Sequence, residues 1–450
     1  MIHVGRIVRG NAAPGVIATS ACMPSPNYDT APYCDAAGLV IRLRIRVENN
    51  EAEVPVSRQD QIGILKRLLH YVDTRTTAMA DAPWQNDVSV YTDTEHLARE
   101  QRMLFRQRPI LMGFGTDWAT PGAFRTDDYA GVPVLIVRGR DGKLRAFLNV
   151  CRHRGAKVAQ GCGSARLFSC PYHAWTYDLS GKVTGIPDER CFPGVRPERS
   201  SLVELPLCEK HGLVWVIPTP APDGSTDFDI DPWLGGLGPE LASFEFASWT
   251  FYDKRVIPET MNWKILVDTF NEGYHIGFLH RDSLKEVLHG NVTDFEAFGL
   301  NHRLTFPRKK LQRLKGEPEA SWDLMWNTTL VYSLFPNTVL LVQGDHVELA
   351  RVFPSEGRVD RAVMELGLYV PKAPVTDDER THWDKNMQLV LDVVMGEDFP
   401  TGRSIQIGLT SGAQTHVVYG RNEPAMIHYH QSMQVALGLV PRGEKYEAAE

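Results

Sequence analysis

No stretch of the 450 residues reaches the ~18 uninterrupted apolar positions that a membrane-spanning helix requires. The N-terminus also lacks a basic-then-apolar leader pattern, so a soluble, cytoplasmic protein is expected. Positive charge is not in excess: 48 Lys and Arg face 55 Asp and Glu, for a formal net charge of −7. That balance argues against a general nucleic-acid or membrane-surface binder. Cysteine is sparse, with seven at positions 22, 34, 151, 162, 170, 191 and 208 and no evident disulfide framework. An odd, scattered set fits a reducing compartment better than secretion. No G-x-G-x-x-G segment opens a helix, so no nicotinamide or flavin site is expected in this chain. What remains is an ordinary globular balance, 43% hydrophobic and 23% charged, long enough for two or three domains with full cores.

The most informative stretch runs from CRHRG to CPYHAW and supplies Cys151, His153, Cys170 and His173. The first pair is Cys-x-His and the second Cys-x-x-His, separated by residues 154–169. Two thiolates and two imidazoles at this spacing suit a [2Fe–2S] cluster of Rieske type, with the cysteines on one iron and the histidines on the other. A structural zinc site uses the same ligand types, but it usually pairs cysteine with cysteine and histidine with histidine.

The rest of the chain is organised around that stretch. Residues 1–38 are rich in Gly, Pro, Ala and Ser, and LVIRLRIRV (39–47) alternates as a half-buried strand with a basic outer face. Ile62, Leu65, Leu69 and Val72 recur at helical spacing after Ser57, a candidate N-cap. Asp93 could cap a helix containing Leu97, Leu104 and Phe105. From about 110 to 217 the pattern is one of short strands, with VPVLIVR and KLRAFLNV forming a hairpin across Asp141-Gly142. Pro- and Gly-rich residues 217–239 read as a linker into a mixed α+β region. The expected organisation is an accessory segment over 1–90, an all-β cluster domain with a leading helix over 91–235, and an α+β domain over 236–450.

A second metal site is indicated by NWKILVDTFNEGYHIGFLH (262–280). Asn262 and Trp263 open a helical stretch that would place Glu272 and His275 on one face. His280 follows His275 by five residues, about 140° around an ideal helix, so the two rings would share an ion only if the chain unwound near Gly277. Two histidines and a distant carboxylate would make the facial triad of a non-haem Fe(II) oxygenase. Candidates for the carboxylate are Asp282, Asp345, Glu348, Asp392, Glu397 and Asp398. Asp392 shares a polar helical face with Lys385 and Gln388. Gly396 then breaks the pattern, and Asp398 sits just before PTGRSIQIGL, which makes Asp398 the choice.

These three stretches, in this order, resemble the oxygenase (α) subunits of the Rieske non-haem iron, or ring-hydroxylating, oxygenases over roughly residues 90–435. CRHRG and CPYHAW are similar to the family's cluster motif, with Ala174 where Gly is common. NWK with EGYHIGFLH is similar to its mononuclear-iron segment, and EDFPTGRSIQIGL to the segment bearing the carboxylate. The resemblance implies His275, His280 and Asp398 as iron ligands. It also implies Glu272 as the acidic residue joining the two metal centres across a subunit boundary. A Rieske cluster and a mononuclear Fe(II) are the implied cofactors. The implied partners are a ferredoxin or flavin-dependent reductase, O₂ and a small organic substrate. A homotrimer is implied, with an accompanying β subunit left open, although the Gln-x-Gly-Leu ending resembles members that work as α subunits alone.

The expected reaction is hydroxylation of a small aromatic or other apolar substrate. Oxidative demethylation is the alternative, and a pure Rieske electron carrier is a further one. Leu266, Phe278, Val331 and Leu340 are candidate pocket walls. Phe335-Pro336-Asn337 reads as a strand end near the pocket. His428 and His430 read as surface or core histidines, Trp322 and Trp326 as core, and Cys162 as a small buried residue.

Overall fold

The computed structural model describes residues 57–196 and 199–439; the strand expected at 39–47 lies outside them. The helix Arg58–Thr74 begins where Ser57 Oγ accepts the amide of Asp60, and it ends at Arg75 in the left-handed region. Its buried stripe is Ile64, Leu65, Leu68 and Leu69, and it shares a core with Leu330 and Tyr332 far along the chain. Asp93 caps Thr94–Glu100 by accepting the amides of Glu95 and His96, and Leu97, Leu104 and Phe105 are buried as expected.

Val134–Arg138 and Leu144–Leu148 form the expected antiparallel hairpin, with Gly142 at φ +78°. They are the centre of a five-stranded sheet that also contains Glu204–Leu205, Ala123–Asp127 and Cys162–Ser164. A small sheet of Phe168–Ser169, Thr176–Tyr177 and Val183–Gly185 lies beside it, and Leu213–Val216 pairs with both Leu207–Lys210 and Ile110–Phe114. Cys162, expected to be a small buried residue, is half-exposed at the start of Cys162–Ser164. The Pro- and Gly-rich segment expected as a linker contains the short helix Asp231–Leu234 and leads into Gly238–Ser243. Its Ile230, Leu234 and Leu237 are buried, so composition overstated its exposure.

The C-terminal half is built on a seven-stranded antiparallel sheet in the order 250–259, 362–370, 347–354, 338–342, 328–334, 301–307, 294–298. Both faces are covered. Leu330, Tyr332, Leu340 and Leu349 join one core, whereas Val331, Val339, Ala350 and Val352 join the other. Side chains alternate across a strand, so two covered faces produce near-continuous burial rather than an apolar–polar alternation. Phe335-Pro336-Asn337 makes the turn between two of these strands, with a cis Phe335–Pro336 bond. An all-β unit followed by an α+β unit is the expected fold class.

Glu365, on Ala362–Val370, ties this sheet to the five-stranded one. It accepts from Arg351 (2.6 Å) and Arg125 (2.7 Å) and contacts Lys254, while Arg351 also donates to Asp127 (2.7 Å). Burial alone would raise the Glu365 carboxyl, but the three cations outweigh it and hold the group well below the usual carboxylate range. Glu365→Gln would leave buried cations uncompensated, and we expect it to cost about 3–5 kcal/mol in chemical denaturation at neutral pH. A depressed carboxylate lends stability above its unfolded pKa and loses it as pH falls. The gap between wild type and variant should therefore shrink in acid. A cost under about 1 kcal/mol would count against the buried-charge account.

Candidate metal centres

The hairpin strand Leu144–Leu148 delivers the chain to Cys151, and the two cluster loops prove to be copies of one turn. In the first, the Cys151 carbonyl accepts the Gly155 amide (2.9 Å) and the Cys151 amide donates to Ala156 (2.8 Å). In the second, Cys170 accepts from Ala174 (2.9 Å) and donates to Trp175 (2.9 Å). Each turn closes on a residue in the left-handed region, Gly155 at φ +81° and Ala174 at φ +57°. That geometry explains why glycine suits position 174; the alanine found there adopts it at a cost of roughly 1 kcal/mol.

The paired turns bury Cys151 and Cys170 and leave His153 and His173 half-exposed, their rings 4.6 Å apart. Trp175 stacks on His153 (5.1 Å, 8°), and Tyr177 Oη lies 3.3 Å from Cys151 Sγ while accepting the Arg152 amide (3.0 Å). The Nδ1 atoms of both histidines are buried with no hydrogen-bond partner among the described residues. Two sequestered thiols and two orphaned imidazole nitrogens are the donor set a Rieske cluster needs.

At the second site the helix from Trp263 is shorter than expected. Asn262 caps it, but it ends at Asp268, and His275–Gly277 is a separate tight turn. Glu272 and His275 therefore meet through a turn and not along a helix face. One Glu272 oxygen accepts the amides of Tyr274 and His275, and the other contacts His275 Nδ1. The loss of helix also removes the 140° problem: the Nε2 atoms of His275 and His280 lie 3.1 Å apart.

Asp398 completes the group, with Oδ1 3.1 Å from His280 Nε2 and 3.7 Å from His275 Nε2. The three donors lie within 4.8 Å of one another, and this is the group of potential metal ligands found among the described residues. Asp398 arrives on a wide helical turn, Val394–Asp398, that joins Asp377–Val393 to Phe399–Thr410. Gly396 was expected to break the helix; the run instead continues through one widened turn, which rotates Asp398 inward and leaves Asp392 exposed, bonded to Gln388 (2.6 Å).

Glu397 points elsewhere, its Oε2 2.5 Å from His280 Nδ1 and accepting from Ser283 (2.9 Å). Each histidine thus turns Nδ1 toward a carboxylate, Glu272 or Glu397, which selects the Nδ1–H tautomer and aims a bare Nε2 lone pair inward. Burial would lower the His280 imidazole, but Asp398 and Glu397 together raise it. Two facing lone pairs and a buried carboxylate oxygen without a hydrogen-bond donor among the described residues form a cradle that a cation would satisfy.

The triad lines a cavity of about 360 Å³, a size suited to a small molecule. Val331 lines it as expected, but three expected walls do not. Leu340 points to the opposite face of the sheet, Leu266 is buried in the core, and Phe278 is 70% exposed. Asp282 is exposed beside Arg281. Asp345 and Glu348 line the cavity but bond to His346 (2.7 and 3.1 Å), not to the triad. Trp322 and His430 are buried, whereas Trp326 is 50% exposed and lines the cavity. Arg308 and Gln343 were missed: each is one polar residue at a strand end, with no local signal of what it faces.

Comparison with known proteins agrees with this geometry. Residues 114–203 match the Rieske [2Fe-2S] domain, and 246–438 match the ring hydroxylating alpha subunit (catalytic domain). The chain belongs to the Rieske non-haem iron oxygenases, as an oxygenase subunit. It is an O₂-incorporating oxidoreductase whose cofactors are a Rieske [2Fe–2S] cluster and a mononuclear iron. Among its relatives, the carnitine monooxygenase oxygenase subunit of Escherichia coli K12 is 26% identical over 347 residues, 73% of this chain and 85% of that one. The biphenyl 2,3-dioxygenase subunit alpha of Rhodococcus jostii is 32% identical over 203 residues, 42% of each chain. A crystal structure of the quaternary ammonium Rieske monooxygenase CntA with L-carnitine superposes with TM-score 0.66 at 21% identity, covering 78% of this chain and 96% of that one. Among the described residues, no helix is long and apolar enough to cross a membrane.

Proposed function

We propose that this chain is the terminal oxygenase of a multicomponent system and that it monooxygenates a small organic substrate, with oxidative demethylation as the favoured form. The observation that carries the proposal is the His275–His280–Asp398 triad opening on a cavity in a chain that also builds the two cluster turns. Monooxygenation is favoured over the aromatic ring hydroxylation first expected because relatives matched along most of this chain are named carnitine and choline monooxygenases.

In this reading Cys151 and Cys170 hold one cluster iron, His153 and His173 the other, and His275, His280 and Asp398 the mononuclear iron. When bound, that iron supplies the capacity to activate O₂. The protein's own contribution is to aim the donors: Glu272 and Glu397 fix the two imidazoles, and Val331 and Leu341 offer an apolar wall to the substrate. Glu272, the partly exposed link on His275, is the route by which an adjoining subunit's cluster would couple to this site, in a homotrimer without a β subunit. Electrons come from a separate ferredoxin or flavin-dependent reductase.

The test is O₂ uptake by holoenzyme with a surrogate reductase and a panel of methylated and aromatic compounds. One oxygen atom per product, with formaldehyde released in step with O₂ from a methylated substrate, is expected. A cis-diol as the main product would refute monooxygenation.

A further inference from the structure

Building on that reading, we propose that the cavity recognises its substrate through a carboxylate held by Arg308, so that the substrate is a small organic acid with an apolar body. Arg308 follows the strand Asn301–Pro307 and reaches into the cavity. Its Nε donates to the Thr328 carbonyl (3.1 Å) and its Nη2 to Gln343 Oε1 (2.7 Å), while Thr329 Oγ1 donates to the same Gln343 oxygen (2.9 Å). The side chain is therefore held from one edge, and its Nη1 has no partner among the described residues.

Arg303 and Arg351, the fully buried arginines among the described residues, face carboxylates, as does the half-buried Arg125. Arg351 pairs with Asp127 and Glu365, Arg303 with Glu240 and Glu296, and Arg125 with Glu365 and Asp117. Arg308 makes no ion pair among the described residues. The contrast is visible in their proton affinities: burial pushes the Arg308 guanidinium down with only partial relief from Asp345 and Glu348, whereas acidic neighbours raise Arg125 and Arg303.

The cavity's own carboxylates are already committed. Asp345 is held by His346 (2.7 Å) and His382 (2.9 Å), and Glu348 by His346 (3.1 Å). Burial would lower His346, but these two carboxylates raise it to about 9, so it stays protonated and neutralises one of them. A guanidinium turned into a cavity without a carboxylate of its own is the group that recognises a planar anion through paired N–H donors. Beyond it, Phe306, Val331, Leu341, Val390 and Val394 offer only apolar surface for the rest of the molecule. A purely cationic substrate such as choline would meet Arg308 with like charge.

The experiment is calorimetric titration of the holoenzyme with benzoate, cyclohexanecarboxylate and 3-phenylpropionate, each against its primary amide, with choline as a further ligand. At least one acid should bind about tenfold or more tightly than its amide, the gain of one charge-assisted pair. Arg308→Gln should erase that preference, and Arg308→Lys should keep part of it, with iron content and circular dichroism unchanged in both. Amides binding as well as acids, choline binding in preference to every acid, no acid binding at millimolar concentration, or a preference that survives Arg308→Gln would each overturn the assignment. Binding is read without turnover. Acids that bind while no compound of the methylated and aromatic panel supports O₂ uptake would count against the proposed function and leave the anion site standing. Oxygenation that continues without any acid preference would count against the anion site alone.

Discussion

Asp398→Ala should retain the Rieske absorption and reduced-state EPR signal, lose mononuclear iron, and abolish substrate-dependent O₂ uptake. Iron should fall from about three to about two per chain, because the cluster accounts for two and the triad for one. The expectation rests on position. Asp398 Oδ1 lies near both Nε2 atoms, is buried, and has no hydrogen-bond donor assigned to it among the described residues. Removing it leaves two imidazoles, too few donors to hold the ion against solvent. The control is Asp392→Ala, six residues earlier, which is exposed, bonds only Gln388 among the described residues, and should change neither iron content nor turnover. Iron analysis and O₂-electrode rates on both variants decide the matter. Were Asp392→Ala the one to lose iron, the widened turn at Val394–Asp398 would not be what aims the third ligand.

Glu272→Gln should fill both metal sites and still be reduced by dithionite, yet turn over orders of magnitude more slowly. Glu272 contributes charge as well as shape. One oxygen accepts two backbone amides and so fixes the turn that carries His275, and the other engages His275 Nδ1. Glutamine keeps the size and can accept on one side only, because its amide nitrogen is a donor. The turn therefore survives while the negative charge on the proposed coupling route is lost. Rapid-mixing measurement of cluster reoxidation in a single turnover separates this step from metal binding. A near wild-type rate would make Glu272 a bystander, and loss of mononuclear iron would make it a support for His275.

The sequence by itself determined whatever depends on near neighbours. Cys151, His153, Cys170 and His173 sit on two short loops closed by their own backbone hydrogen bonds, so spacing alone identified the cluster. The caps at Ser57 and Asp93 and the hairpin at Gly142 are equally local, set by side-chain acceptors and a left-handed glycine. Helical phase was enough to dismiss Asp392, since a residue's face is a property of its own helix. Phase could not show how His275 and His280 share a centre, because the helix it presumed stops at Asp268, where tertiary packing takes over. Nor could it show that Gly396 lies in a widened turn rather than at a break. Period-two alternation identified strands but not which covered face holds the cavity. Leu340 and Leu341 are indistinguishable in sequence yet belong to opposite sides of the sheet. Only the tertiary structure decided those points, along with the solitary guanidinium of Arg308. Whether a side chain meets a carboxylate, a core or an empty cavity is settled by elements distant in the chain, and local free energies carry no record of them.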